Sequence, residues 1–384
     1  MRPITRRSFA TRSIVRLSRC CLIASFGLGL ACAAEWQIEA ISDIPGGKFS
    51  SMKLDSAGNA HVVHQDGVEG MFHYSFWDHT LNRWFSTDLG RSSGFCSLTL
   101  DSKQHPHISY PSGTGVTHTY WDGEKWQNQF ADIHARVINY YTSIVLDPKD
   151  YPSISFYEEA GAGDAWGRLR VVSWNGKYWD VKTVDPDHGS GKFNSMATNS
   201  KGYPEIAYGN VEYGNRNLSL RYAYWNGQAW KAQILESTGT SMWSVSMVLD
   251  SKDVPHITYT DVSSRLVKYA TRQAGQWVFQ PVASIVEQSY PDRNSIAVDS
   301  HGNPYIGFYD GGAGAFKVSH REDGKWITET LDTGYAGYTS SMQIANDTIF
   351  ITYGDERGEL LRFARRSIAP PVPPAKQTLE SKKN

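Results

Sequence analysis

A Ser-apolar-x-apolar-Asp pattern recurs along this 384-residue chain, beginning at Ser51, Ser97, Ser143, Ser195, Ser246, Ser295 and Ser341, with Thr198-Asn199 closing the fourth copy and Ala345 the seventh. The spacings are 46, 46, 52, 51, 49 and 46 residues, a period that belongs to repeat architectures and excludes most other folds. An aromatic residue or histidine stands thirteen residues after each of the first six serines and twelve after the seventh: His64, Tyr110, Phe156, Tyr208, Tyr259, Phe308 and Tyr353. Between the two marks lies a turn such as Asp250-Ser251-Lys252-Asp253-Val254-Pro255, then an alternating segment such as His256-Ile257-Thr258-Tyr259. Turn residues flanked by period-two apolar positions form a tight hairpin. A third segment follows, for example Leu220-Arg221-Tyr222-Ala223-Tyr224-Trp225, then Asn226-Gly227 and a tryptophan opening a fourth strand. Four short antiparallel strands per repeat predict an all-β fold, a β-propeller in which each sheet packs face to face on its neighbours around an axis.

The fourth-strand tryptophans set the blade count. They are Trp84, Trp126, Trp179, Trp230, Trp277 and Trp326, six for seven first strands. The missing one lies far upstream, where Trp36-Gln37-Ile38-Glu39-Ala40-Ile41 matches Trp326-Ile327-Thr328-Glu329-Thr330-Leu331, while the last repeat stops after Leu361-Arg362-Phe363-Ala364. The expectation is a seven-bladed propeller over residues 35–367 whose last blade is completed by the N-terminal strand, which removes an open edge.

Residues 1–34 read as an export signal: Arg2, Arg6, Arg7, Arg12, Arg16 and Arg19 without an acid, an apolar run from Cys20 to Ala31, then Ala31-Cys32-Ala33-Ala34 as a small-residue cleavage site. Thr5-Arg6-Arg7-Ser8-Phe9 resembles a twin-arginine signal, although further basic residues separate it from the apolar core and favour the ordinary secretory route. A secreted or periplasmic protein is expected. Residues 368–384, with Pro370-Pro371-Val372-Pro373-Pro374 and a lysine-rich end, read as a disordered tail. Without the signal, 32 basic residues face 39 acidic ones, a net charge of 7 negative, which argues against nucleic acid as a partner. Cys96 is then the one cysteine well inside the mature chain, so no internal disulfide is expected, and the fold relies on its core.

The recurring Leu-Asp-Ser-x-x-x-Pro-His-Ile-x-Tyr, with the later Lys-Tyr-Ala and Gly-x-Trp elements, resembles the repeats of secreted bacterial β-propeller proteins, loosely akin to the sialidase-like superfamily. Sialidase repeats carry their Asp turn between the third and fourth strands, whereas here it lies between the first and second, so no sialidase catalytic residue carries over. The resemblance implies a glycan or polysaccharide ligand, since propellers of this broad kind include polysaccharide lyases, glycosidases and lectins.

Strand alternation puts the second-to-third loops and the blade connections on one face. Measured from the aromatic mark to the opening of strand three, the loops run 9, 7, 14, 13, 9, 9 and 9 residues, so blades three and four carry insertions and this variable face is the expected place for function. Trp166 and Trp243 are the two tryptophans outside the repeat and could stack on sugar rings; Trp166 could equally clamp its own loop. His134, Arg136 and Tyr140, Asp187 and His188, Tyr213 and Arg216, and Tyr290 and Arg293 lie on the same face. Proton abstraction beside a uronate carboxylate needs a histidine or tyrosine base and a cation, which makes His134, His188, Tyr140, Arg216 and Arg293 the candidate catalytic residues. Trp166, Trp243, Glu158, Glu159, Asp164, Tyr213 and Tyr290 are the candidate ligand contacts. Hydrolysis would instead draw on Glu158, Glu159 and Asp164. For any one of these loop residues an ordinary hydrogen-bonding role is the alternative.

Asp66, Glu158, Asp261, Asp310 and Asp355, with Asn210 and Ser112, recur two residues past the second strand. A structural Ca²⁺ in the central funnel would suit such oxygens, but recurrence in nearly every blade favours turn capping. His61, His107 and His256 share one register, and blade symmetry spreads them around the axis rather than gathering them on a metal. No resident cofactor is expected. The functional expectation is a monomer that binds an extracellular polysaccharide; whether it is an enzyme is left open, with β-elimination the first chemistry in line and glycoside hydrolysis the second, and a non-catalytic protein-interaction scaffold is the alternative.

Overall fold

A computed structural model describes residues 35–41, 47–66, 70–91, 94–112, 115–132, 141–159, 167–210, 218–239, 242–286, 294–355 and 360–368. Its 28 strands form seven four-stranded antiparallel sheets, each meandering outward from an inner strand. Blade one runs through Lys48–Leu54, Ala60–Gln65, Met71–Asp78 and Arg83–Arg91. Blade seven is built from Ala336–Ala345, Thr348–Asp355 and Leu361–Ser367, and its outer strand is Gln37–Ala40. That strand pairs antiparallel with the third, Gln37 opposite Arg365 and Ala40 opposite Arg362. The ring is therefore closed by the N-terminal strand, as the displaced Trp36 predicts.

Each repeated residue has a physical task between blades. An inner strand is paired on one side only, so part of its N–H groups face away from the sheet and would be costly to leave unmet. The marker serines meet them. Ser51 Oγ accepts the Leu98 N–H of the next blade at 3.1 Å, Ser97 that of Ile144 at 3.2 Å, Ser143 that of Met196 and Ser195 that of Met247 at 3.0 Å. Ser341 does the same for Met52 at 3.0 Å across the closure. The fourth-strand tryptophans are wedges: Trp126 packs on Tyr74, Trp179 on His118, Trp277 on Tyr222, Trp326 on Tyr269 and Trp84 on Phe363, each a third-strand ring of the preceding blade.

The turn aspartates act locally. Asp55, Asp101, Asp147 and Asp250 each accept two backbone N–H groups of their own turn, and Asn199 does so in blade four. The in-register histidines are likewise structural: His61 Nδ1 meets Tyr74 Oη at 2.6 Å, His256 Nδ1 meets Tyr269 Oη at 2.7 Å, and His107 Nδ1 meets His118 Nε2 at 2.9 Å. Cys96 is a buried thiol that donates to the Phe49 carbonyl oxygen at 2.9 Å.

Candidate functional site

The seven inner strands surround a central cavity of about 460 Å³, and Lys53 is the one charged side chain on its described wall. Just upstream of the marker serines, four inner strands slip register against their neighbours: between Lys48 and Ser51, Lys192 and Ser195, Trp243 and Ser246, and Ala336 and Ser340. Such bulges re-aim side chains. Three of them hold a non-glycine residue in the left-handed region, Phe49 at φ 57°, Phe193 at φ 54° and Ser244 at φ 59°, which is strained backbone of the kind that clusters at ligand clamps.

The rings at three of these bulges and those of the two regular inner strands between them form one arc on the variable-loop side of the inner strands. Phe49 lies 4.1 Å from Phe95, Phe95 stacks on Tyr141 at 4.0 Å, Tyr141 lies 4.7 Å from Phe193, and Phe193 lies 4.9 Å from Trp243. Five neighbouring blades are thus linked by one aromatic series, which belongs to the hydrophobic core around the inner strands. Phe95, Tyr141 and Phe193 are buried, while Phe49 and Trp243 keep part of their surface.

Beside the arc, between blades three and four, is a cation in an apolar setting. Lys192 Nζ sits 5.3 Å from the centre of the Tyr157 ring, whose hydroxyl accepts the Gly167 N–H at 2.9 Å. Burial lowers the pKa of Lys192, and the nearby Glu159 carboxylate opposes that shift in part. Gly191, at φ +107°, brings the strand against Leu169, where a Cβ would approach within 2.8 Å.

A second layer of charge is tied up between blades. Asp185 holds Tyr208 at 2.7 Å and Arg221 at 2.8 Å, and Asp332 holds Tyr353 and Arg362, both at 2.8 Å. Glu236 likewise holds Tyr259 and, at 2.6 Å, Lys268. Each acid comes from the outer strand of one blade, and each tyrosine and cation from the next. The second-strand acids are engaged similarly: Glu158 with Arg170 at 2.8 Å, Asp310 with Lys317 at 2.7 Å, and Asp66 with the Met71 N–H at 3.1 Å. Among the described residues no group of three or more His, Cys, Asp or Glu is arranged to hold a metal ion.

Four of the twelve candidate residues lie in the described part. Trp243 is a member of the aromatic arc, packed on Phe193 against the blade-four and blade-five core, so it is a packing residue with an exposed edge. Glu158 is paired with Arg170 at about a quarter of its side-chain surface exposed, Glu159 neighbours Lys192, and His188 is exposed in the connection between blades three and four, where its carbonyl accepts Asn210 Nδ2 at 3.0 Å. His134, Tyr140, Arg216, Arg293, Trp166, Asp164, Tyr213 and Tyr290, with the two insertions, fall outside the described residues. Lys192 and the arc, apart from Trp243, are absent from the expectation. Their signal was available in a duplicated hexapeptide, Gly47-Lys48-Phe49-Ser50-Ser51-Met52 and Gly191-Lys192-Phe193-Asn194-Ser195-Met196, which stands just where the marker motif begins.

No protein-family model matches the chain, and no curated protein matches it in sequence. Solved structures do share its fold. An ulvan lyase of the polysaccharide lyase family PL25, bound to a -[GlcA(1-4)Rha3S]- unit, superposes with a TM-score of 0.61 over 86% of this chain and 96% of that one at 11% identity. The polysaccharide lyase Uly1 gives 0.53 over 86% and 91% at 9% identity. A protein of unknown function from Dyadobacter fermentans gives 0.51 over 88% and 99% at 9% identity. At such identities the likeness establishes the fold alone.

Proposed function

We propose that this propeller binds an anionic extracellular polysaccharide on its variable-loop face, over blades three to five. The observation that carries the reading is Lys192, a half-buried ammonium set over Tyr157 and beside the Phe193–Trp243 edge of the arc. Burial strips water from a charge, and a ligand carboxylate or sulfate ester would replace it. The exposed edge of Trp243 offers an apolar face to the sugar ring itself. That two structures of this fold are polysaccharide lyases supports the ligand class, and the basic, acid-free N-terminal segment supports export.

Cleavage by β-elimination is the chemistry such a site would perform. Lys192 would pair with the uronate carboxylate and stabilise the enolate formed when a base removes the C5 proton. The C4–O bond then breaks, C4 and C5 become doubly bonded, and the departing oxygen takes up a proton. His188, exposed four residues upstream of Lys192, is the described candidate for the proton transfers. The test is a glycan-array screen followed by calorimetric titration, with ultraviolet absorbance to detect new unsaturated ends. Lys192→Met should weaken binding of charged oligosaccharides by about tenfold or more, the scale of one charge-assisted hydrogen bond. Equal binding by Lys192→Met and wild type would refute the placement of the ligand.

A further inference from the structure

Resting on the reading just given, we infer that the duplicated Gly-Lys-Phe-x-Ser-Met element makes Lys48 a second anion subsite, across the funnel from Lys192, so that the site reads two charges on one polymer. The two copies are structurally equivalent and not merely alike in sequence. Each begins a blade's inner strand, each is interrupted by the same register slip, and each holds its phenylalanine in the left-handed region, Phe49 at φ 57° and Phe193 at φ 54°. Each glycine permits close approach of the preceding blade: a Cβ on Gly47 would meet the Leu360 carbonyl oxygen at 2.4 Å, and one on Gly191 would meet Leu169. A phenylalanine held in the left-handed region is a costly way to build an inner strand, and three blades manage without the slip. What the two copies share is the presentation of a lysine at the start of the inner strand.

The lysines sit at the two ends of one track. Lys48 precedes Phe49 and Lys192 precedes Phe193, and the rings between them form the continuous series Phe49, Phe95, Tyr141 and Phe193 with centroid steps of 4.1, 4.0 and 4.7 Å. Blades one and four are three places apart in a ring of seven, so the two copies stand on opposite sides of the funnel and cannot share one ligand group. Both ammonium groups belong to half-buried residues, and Lys48 has no ion pair among the described residues. A polymer spanning the variable-loop face between the two copies would bring one anionic group to each. A single-charge sugar could satisfy only one of them.

The experiment compares glucuronate with oligosaccharides of the -[GlcA(1-4)Rha3S]- repeat long enough to carry several charges, by calorimetry at two salt concentrations. Wild type is expected to bind the oligosaccharide far more tightly than glucuronate. Lys48→Met should weaken the oligosaccharide about tenfold to a hundredfold and flatten its salt dependence, while glucuronate binding and thermal unfolding stay as in wild type. Lys192→Met should weaken both ligands. Binding of the oligosaccharide by Lys48→Met at wild-type affinity and salt dependence overturns the second subsite and leaves the glycan reading standing. Failure of wild type to bind any charged oligosaccharide overturns both.

Discussion

Five buried histidines should make this propeller unusually sensitive to mild acid. Burial lowers the pKa of His61, His107 and His256, and drives His64 and His118 from 6.5 down to about 3, aided in each case by a neighbouring histidine. The folded protein keeps these imidazoles neutral, whereas the unfolded chain takes up protons as the pH drops below 6.5. Stability is therefore complete above 6.5 and declines as the pH falls from there toward 3. At pH 4.5, two units below the unfolded value, His64 and His118 each remove roughly 3 kcal/mol, about 5–6 kcal/mol together. The lowered carboxylates Asp55 and Asp250, whose ordinary value is 3.8, contribute their own loss only at more acidic pH, so the window from 6.5 to 4.5 isolates the histidines. At about 2 °C per kcal/mol for a chain of this size, the melting temperature should fall by about 10 °C. The assay is calorimetric or circular-dichroism melting from pH 7.5 to 4.5, with His64→Gln as the internal control. Glutamine can still donate to Ser75, which His64 Nε2 meets at 3.1 Å, but it does not titrate, so the variant should lose about half of the shift that His64 and His118 account for together. A melting temperature that stays level across this window, or a variant as acid-sensitive as wild type, would show that the imidazoles are not held neutral.

The marker serines should behave as clasps: Ser143→Ala orphans the buried Met196 N–H and is expected to cost about 1–3 kcal/mol, read from urea denaturation midpoints, whereas an unchanged midpoint would mean that the N–H finds another partner. Deleting residues 35–41 removes Trp36, the buried Ile41 and the strand paired with Leu361–Ser367; the two side chains alone account for about 3–6 kcal/mol, and an unaltered, cooperative melt would refute ring closure. Trp243→Ala is expected to lower stability by about 2 kcal/mol, because the indole packs on Phe193, and to weaken glycan binding as well. A normal melt with normal binding would remove Trp243 from both roles.

The architecture was legible in the sequence because a propeller repeats short-range instructions. Turn chemistry at Asp55 or Asp250, period-two alternation and a tryptophan opening each fourth strand act within a few residues, and seven copies average out the ambiguity of any one. Even the closure was readable, since Trp36-Gln37-Ile38 is a fourth strand lacking its blade and the Ser341 repeat is a blade lacking its fourth strand. The partners of those same residues were not. That Ser143 reaches the Met196 N–H, that Trp179 wedges against His118, and that Asp185 holds both Tyr208 and Arg221 are contacts across blade seams, set by how one twisted sheet lies on the next. Tertiary structure likewise decided the fate of Trp243, which subtraction from the repeat marked as surplus and which packing draws into the arc. It also showed what the duplicated hexapeptide becomes: Lys48 and Lys192 stand on equivalent bulged inner strands, and only the closed ring puts those two strands three blades apart. Local sequence determines what each strand and turn becomes, while the meeting of side chains from distant strands depends on the ring, which no single repeat encodes.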